Sequence, residues 1–126
     1  TTLANLLATT AGITGVGSDQ VHGEDSYSIL PVLLGETDKV PGQDAVVHHS
    51  SKGIFAIRYG DWKLIEGLGS GGFSEPVFYD PLPGEAAGQL FNIENDPMET
   101  VDLYLQEPEI VKMLTHKLDS IKQFRH

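Results

Sequence analysis

The amino-acid sequence predicts an α+β fold: a small four-stranded antiparallel sheet packed by a C-terminal helix, with a short N-terminal helix. Residues 45–66 contain three short, mostly apolar runs of β-forming residues separated by turn residues, and residues 88–93 supply a fourth strand. Residues 108–123 instead repeat their apolar side chains at helical spacing. Because the apolar face of a sheet and the apolar stripe of a helix must both be buried, the two elements are expected to pack as layers.

The composition fits one ordinary globular domain and excludes several kinds of partner. The chain has 126 residues, of which 40% are hydrophobic and 21% charged. Its net charge of -10 predicts no attraction to nucleic acid and repulsion from anionic lipid. No apolar run approaches the roughly 20 residues of a membrane-spanning helix. Since the chain has no cysteine, disulfides and thiol chemistry are excluded.

Two short helices are predicted in the first third of the chain. Residues 1–11 form an amphipathic helix that Gly12 can end in a left-handed conformation. Residues 26–34 form a brief second helix, which Asp25 caps, Pro31 keeps short and Gly35 closes. The apolar side chains expected to be buried are Leu3, Leu6, Leu7, Ile29, Leu30, Leu33 and Leu34.

Turn residues and alternation place the strands. The predicted strands are residues 45–47, 54–58, 62–65 and 88–93. Residues 48–53 supply the first turn, and Gly-Asp at residues 60–61 is typical of a two-residue hairpin. Alternation predicts that Phe55, Ile57 and Tyr59 point to one face of the sheet.

The last helix, residues 108–123, is the clearest element. Pro108 suits the first helical turn, where its missing N–H has no partner to lose. Its predicted buried stripe is Ile110, Val111, Leu114, Leu118 and Ile121. The loop of residues 67–87 is unusually long for a compact domain, and loops of that length are often functional.

Two segments could contact an anionic ligand. A histidine at the end of the first strand could bind a substrate, or one of the pair His48 and His49 could bind a metal. Adjacent strand residues point to opposite faces, so the two histidines are poorly placed to share one metal ion; the simpler alternative is one buried and one solvated histidine. The glycine-rich residues 69–72 could cradle sulfate or phosphate with backbone N–H groups, or could be a flexible loop.

An acidic segment near the C-terminal helix is better explained as a turn than as a calcium site. Residues 95–97, Asn-Asp-Pro, lie near Glu94 and Glu99, but their spacing matches no EF-hand. Together the residues predict no nucleophile–base pair and no metal site. Salt bridging is expected among Arg58, Asp61, Lys63 and Glu66.

Three ordered motifs resemble the C-terminal part of sulfatases of the arylsulfatase type. Residues 55–64 read FAIRYGDWKL, residues 90–103 read LFNIENDPMETVDL, and residues 108–114 read PEIVKML. The family has an F-A-I-R-x-G-x-W-K-L hairpin, a strand and turn with D-P-x-E, and a closing P-E-[IV]-V-x-x-L helix. The segments TTLANLLATTAGI and EDSYSILPVLLG also match the family, so the resemblance covers nearly the whole chain.

The resemblance implies an enzyme that hydrolyses sulfate esters, either aryl sulfates or sulfated sugars. Such enzymes use a formylglycine, made from Cys or Ser in a C/S-x-P-x-R motif, and a calcium ion. That motif is absent here, so this chain is expected to carry no catalytic residue, no metal site and no activity alone. Calcium and formylglycine are expected only in the full-length enzyme.

The resemblance also implies a substrate-side role and a domain division. Residues 1–43 would be a helix and linker from the end of the catalytic domain, and residues 44–126 the α+β subdomain that packs on it. The loops of that subdomain help to line the substrate pocket in the family. The implied substrate-binding residues are His48, His49, Ser70 and Phe73.

The expected partners follow from this division. They are the N-terminal catalytic domain and a sulfate-ester substrate, and the full-length protein would be periplasmic or secreted. In this chain the leucines of the first helix are expected to pack on the local sheet or on a second copy, giving a homodimer. The alternative is a stand-alone, non-catalytic interaction module of the same shape. An upstream C/S-x-P-x-R motif or a start codon directly before Thr1 would separate the two.

Overall fold

The computed structural model describes residues 2–16, 26–71 and 74–123. The helices are α1 (Leu6–Thr14, preceded by a 3-10 turn at Leu3–Asn5), α2 (Leu30–Leu33) and α3 (Pro108–Gln123). The strands are β1 (Ala45–His49), β2 (Phe55–Tyr59), β3 (Trp62–Ile65) and β4 (Gln89–Asn92), and they form one sheet in the order β1-β2-β3-β4. The predicted α+β class, with a four-stranded antiparallel sheet, a C-terminal helix and a short N-terminal helix, is confirmed.

The chain divides into two compact units, residues 1–46 and residues 47–126. In the first unit, α1 and the 3-10 turn before it bury polar side chains. Asn5 and Thr9 are 0% and 5% exposed. The Thr9 hydroxyl donates to the Asn5 carbonyl oxygen (2.6 Å) and accepts from the Ile29 N–H (3.0 Å), while the Asn5 amide donates to Gln43 Oε1 (2.8 Å). Burial is tolerated because these polar groups have partners.

The predicted burial of the leucines in this unit is largely wrong. Leu3, Leu6 and Leu7 are exposed, and so are Leu33 and Leu34. The side of this segment that carries Asn5 and Thr9 faces the interior of the unit. The leucines lie on its exposed side. Ile29 and Leu30 are half-buried as expected. Packing of the exposed leucines on a second copy stays a prediction.

The ends of both short helices also differ from the prediction. α1 continues past Gly12 and ends at Gly15, which has the left-handed φ of 72°. Gly12 lies inside the helix, where a Cβ would come within 3.3 Å of Leu30 Cδ2, so its small size permits the close approach of α2. α2 is shorter than expected because Pro31 occupies its first turn, and Gly35 follows it with a φ of 74°. The proposed cap Asp25 lies outside the described residues.

In the second unit, α3 packs on one face of the sheet. The pairing places Ile57 opposite Leu64, and Leu64 opposite Leu90. These three side chains and the helix residues Leu114 and Leu118 are all at most 1% exposed. Fully burying a side chain of this size contributes about 1.5 to 3 kcal/mol, so these five side chains make a large contribution to the stability of the unit.

The predicted faces of β2 are confirmed at the α3 interface. Lys122 lies over the Phe55 ring with its Nζ 4.6 Å from the centroid, and Lys117 lies over Tyr59 at 4.2 Å. Lys122 also pairs with Glu66, which was expected to pair with a neighbouring strand residue. Phe55, Ile57 and Tyr59 therefore face α3, and the intervening residues face the opposite side.

The strand boundaries differ by one or two residues from the prediction. β3 and α3 have the predicted bounds, whereas β2 is shifted by one residue and β4 is one residue shorter at each end. β1 continues through His48 and His49, which were assigned to a turn. Gly88, just before β4, is required by packing, because a Cβ there would lie 2.4 Å from the carbonyl oxygen of Ile65.

Candidate functional site

A pocket of about 160 Å³ lies within the second unit, and the residues of β2 and β3 that line it belong to the face of the sheet opposite α3. Ala56 of β2 and Lys63 and Ile65 of β3 belong to that face, since their neighbours in sequence face the helix. The two segments singled out in the sequence meet here, one from the end of β1 and one from the loop after β3. The lining residues are His48, His49, Ser50, Ile54, Ala56, Lys63, Ile65 and residues 67–71.

His48 presents an uncharged imidazole to the pocket. Its side chain is exposed at the surface, but partial burial lowers its pKa below the ordinary 6.5, and the Lys63 ammonium lowers it further. His49 adds to this effect, while Glu99 opposes it. Within the described residues, no hydrogen bond is made by the His48 ring. It therefore offers one donor and one acceptor nitrogen near neutral pH.

His49 borders the same pocket but is committed elsewhere. Its ring packs edge-on against Phe55, with centroids 5.7 Å apart and planes at 63°. Its Nδ1 lies 2.9 Å from the carbonyl oxygen of Ser50. Because a carbonyl oxygen can only accept, this hydrogen bond assigns the proton to Nδ1. Since Phe55 belongs to the α3 side of the sheet, the two histidines diverge as alternation predicts.

Lys63 makes the strongest ion pair of the pocket, and this partner was missed in the sequence. Its Nζ lies 2.7 Å from both carboxylate oxygens of Glu99, and the two side chains are 20% and 33% exposed. Salt bridging was instead expected with Asp61 or Glu66. Glu99 has a φ of 56°, an unusual left-handed conformation for a non-glycine residue. The pair ties the β3 strand to the turn before α3.

In the loop after β3, residues 70 and 71 pair with a later segment of the same loop. The Ser70 N–H donates to the Pro76 carbonyl (3.0 Å), and the Gly71 N–H donates to the Val77 carbonyl (2.9 Å). Because these two N–H groups already donate within the loop, residues 70 and 71 contribute no free N–H to the anion cradle that was one of the two alternatives for residues 69–72. Gly69 permits this pairing: its φ is 102°, and a Cβ would meet the Val77 carbonyl oxygen at 2.7 Å.

Two of the predicted substrate-binding residues, Ser70 and Phe73, belong to this loop. Ser70 lines the pocket, and its hydroxyl donates to the Ser74 carbonyl oxygen. Phe73 lies outside the described residues. The structure thus brings His48, His49 and Ser70 together at one pocket, and no ligand contact of these residues is established. The apolar lining by Ile54 and Ile65 was missed, although strand alternation already placed Ile65 beside Lys63.

The acidic segment at residues 94–99 forms a turn, as predicted. Asp96 accepts hydrogen bonds from the N–H groups of Thr100 (2.6 Å) and Val101 (2.8 Å). The bond from Val101 is the main cause of a lowered pKa at Asp96. Across residues 2–16, 26–71 and 74–123, no group of three His, Cys, Asp or Glu side chains is placed to hold a metal ion.

In the same part of the chain, no helix is both long and apolar enough to cross a membrane.

Two solved structures place this fold among known proteins. The first is a Bacteroides thetaiotaomicron sulfatase, BT33336S-sulf, described with the metabolism of multiple glycosaminoglycans. It matches with a TM-score of 0.69 and 25% identity over 94% of this chain. The second, Ps i-CgsB, matches with a TM-score of 0.55 and 21% identity over 89% of this chain, which is a likeness of fold alone.

The chain spans only a part of each of these proteins, 24% of the first and 22% of the second. No protein-family model matches the sequence. The α+β fold and the likeness to the Bacteroides protein nevertheless support the same conclusion. This chain is similar to part of a sulfatase.

Proposed function

We propose that this chain is the C-terminal subdomain of a sulfatase that hydrolyses aryl sulfates or sulfated sugars. In this proposal the subdomain packs on the catalytic domain and lines the substrate pocket. The observation that carries it is the likeness to the Bacteroides sulfatase over 94% of the chain. The glycosaminoglycan context of that protein favours sulfated sugars as the substrate class.

The bond-breaking groups belong to the rest of the enzyme. The chain has no cysteine and no S-x-P-x-R segment from which a formylglycine could be made. The residues present also do not fit a calcium site, since the described part of the chain gathers no three carboxylates. Calcium and formylglycine are therefore proposed for the full-length enzyme, which would be periplasmic or secreted, and no step of the reaction passes through this chain.

The substrate-side role is proposed for His48, His49, Ser70 and Phe73. His48 and Ser70 come from segments that are 22 positions apart and yet line one pocket, which supports a shared role in contacting the group that carries the sulfate. Their side chains would orient that group through hydrogen bonds. Such contacts change substrate affinity and positioning, and hence kcat/KM, without supplying a nucleophile.

The test begins with the coding sequence upstream of Thr1. We expect it to encode a C/S-x-P-x-R motif, and the whole encoded protein should release sulfate from a sulfated sugar. His48→Gln should lower kcat/KM, while His116→Gln, at an exposed position on α3, should leave it unchanged. A start codon directly before Thr1 would contradict the proposal and favour a stand-alone interaction module.

A further inference from the structure

We propose that the pocket opposite α3 binds an uncharged, hydroxyl-bearing sugar ring and does not bind the sulfate group. This inference deepens the proposed function, because it states which part of a sulfated sugar meets this subdomain. It depends on the groups that line the pocket and on what each of them already binds.

The cation in the pocket is already neutralised. Lys63 is the pocket-lining residue that is cationic at neutral pH, and its Nζ contacts both oxygens of Glu99 at 2.7 Å. A charge-assisted, two-oxygen contact of this kind is a strong hydrogen-bonding arrangement. A sulfate would have to displace the Glu99 carboxylate from a pair that is mostly shielded from water. The net charge of -10 adds a long-range repulsion of anions.

Two backbone donors beside the pocket are also engaged within the loop. Sulfate sites built on loops need several N–H groups aimed at one point. In the loop beside this pocket, the N–H groups of Ser70 and Gly71 donate to the carbonyls of Pro76 and Val77. These donors close the loop on itself and are unavailable to an anion.

The His48 imidazole suits a hydroxyl better than a sulfate. Partial burial and the nearby Lys63 disfavour its protonated form, so its pKa lies below 6.5 and the ring is neutral at pH 7.5. A neutral imidazole donates with one nitrogen and accepts with the other. A hydroxyl also donates and accepts, whereas a sulfate only accepts. A ligand with hydroxyl groups can therefore satisfy both ring nitrogens, whereas a sulfate can satisfy only the donating one.

Part of the pocket lining is hydrocarbon. Ile54, Ala56 and Ile65 line it together with the polar residues His48 and Ser50. A sugar ring combines an apolar C–H face with hydroxyls at its edge, and ligand sites commonly pair an apolar lining with a few polar groups. The apolar and polar groups of the lining match the two parts of such a sugar. Because the Lys63 ammonium already pairs with Glu99, the pocket also suits a ligand without charge.

The binding test uses the 126-residue chain and does not depend on hydrolysis. NMR spectra of the chain are recorded at pH 7.5 during titration with glucose, glucose 6-sulfate or inorganic sulfate, each to about 100 mM. We expect both sugars to shift the His48 ring signals and the amides of residues 67–71, with dissociation constants within about threefold of each other. Inorganic sulfate should leave these signals unchanged.

Variants test separately how the His48 imidazole and the Lys63–Glu99 ion pair affect ligand binding. His48→Gln should weaken sugar binding by at least threefold, and His116→Gln should not change it. Glu99→Gln releases the Lys63 ammonium, so it should make the pocket responsive to inorganic sulfate. The amide spectrum of the sheet residues shows for each variant that the fold is retained.

Three results would overturn this inference. They are binding of inorganic sulfate by the unaltered chain, a glucose 6-sulfate affinity at least tenfold above that of glucose, and the absence of any shift with either sugar. None of them bears on whether a C/S-x-P-x-R motif precedes the chain. The failure of this inference and the failure of the proposed function are thus distinguishable.

Discussion

The contact between Lys63 and Glu99 is the most informative place to perturb the second unit. It joins residues that are 36 positions apart in sequence, through two 2.7 Å contacts. Glu99→Gln keeps the size of the side chain and removes its charge, and Lys63→Met removes the ammonium while keeping the hydrocarbon stem. Both single variants and the double variant form a double-mutant cycle that isolates the interaction.

The expected coupling energy between Lys63 and Glu99 lies between that of an exposed ion pair and that of a hydrogen bond to a charged group. Ion pairs exposed to solvent contribute about 0.2 to 1 kcal/mol, whereas hydrogen bonds to charged groups contribute about 1.5 to 3 kcal/mol. Lys63 and Glu99 retain 20% and 33% of their side-chain exposure, so water weakens the pair without cancelling it. We expect a coupling energy of about 1 to 2 kcal/mol, which corresponds to about 4 to 16 °C in Tm for a unit of this size.

Urea unfolding followed by tryptophan fluorescence measures this energy. Trp62 is the only tryptophan and lies beside Lys63 on β3, so its signal reports on the sheet. Lys112→Met, at an exposed position on α3, is the control and should change the free energy of unfolding by less than about 0.5 kcal/mol. A coupling energy below about 0.3 kcal/mol would refute the reasoning, because the pair would then behave as a surface pair.

Three further predictions concern packing, backbone space and pH. Leu118→Ala should cost about 2 to 5 kcal/mol of unfolding free energy, because Leu118 is fully buried, while Met113→Ala on the exposed side of α3 should cost under about 1 kcal/mol in the same urea assay. Gly88→Ala should lower stability by about 1 to 3 kcal/mol, since its Cβ would collide with the Ile65 carbonyl oxygen; an unchanged Tm by calorimetry would contradict this. The lowered pKa of Asp96 means that the unfolded chain binds more protons than the folded one just below pH 3.8, so stability should fall as pH drops from there through the folded pKa. Asp96→Asn should lose that part of the acid dependence in urea titrations between pH 5 and about pH 2, and an unaltered profile would show that the turn does not depend on this carboxylate.

Sequence periodicity predicted the elements whose burial follows a regular repeat. The stripe that contains Leu114 and Leu118 and the alternation of Phe55, Ile57 and Tyr59 both specify a buried face without reference to the rest of the chain. For that reason the sheet, α3 and the face they share were predictable.

The first unit shows where periodicity fails. Its leucines repeat at helical spacing, yet the buried side chains of α1 and of the 3-10 turn before it are Thr9 and Asn5. Their burial depends on partners at Gln43 and Ile29, which are 38 and 20 positions away. Hydrogen bonds between distant residues leave no local pattern in a sequence, so this inward face could not be predicted.

The candidate site was predictable only in part, for the same reason. The histidines and the loop after β3 stood out by residue type, and the structure places His48 and Ser70 at one pocket. The pairing of Lys63 with Glu99 and the use of loop N–H groups by Pro76 and Val77 depend on tertiary contacts. Those contacts decide the charge of the pocket, so its ligand preference follows from the structure and not from the motifs.

The measurement that most directly tests the proposed role is calcium-dependent hydrolysis of a chromogenic aryl sulfate. It compares this 126-residue chain with the whole protein encoded by its gene, each with calcium present and absent. The account predicts turnover by the whole protein and none by this chain. Turnover by this chain alone would contradict the account, because it would place the bond-breaking groups among residues that here form only a substrate-side pocket.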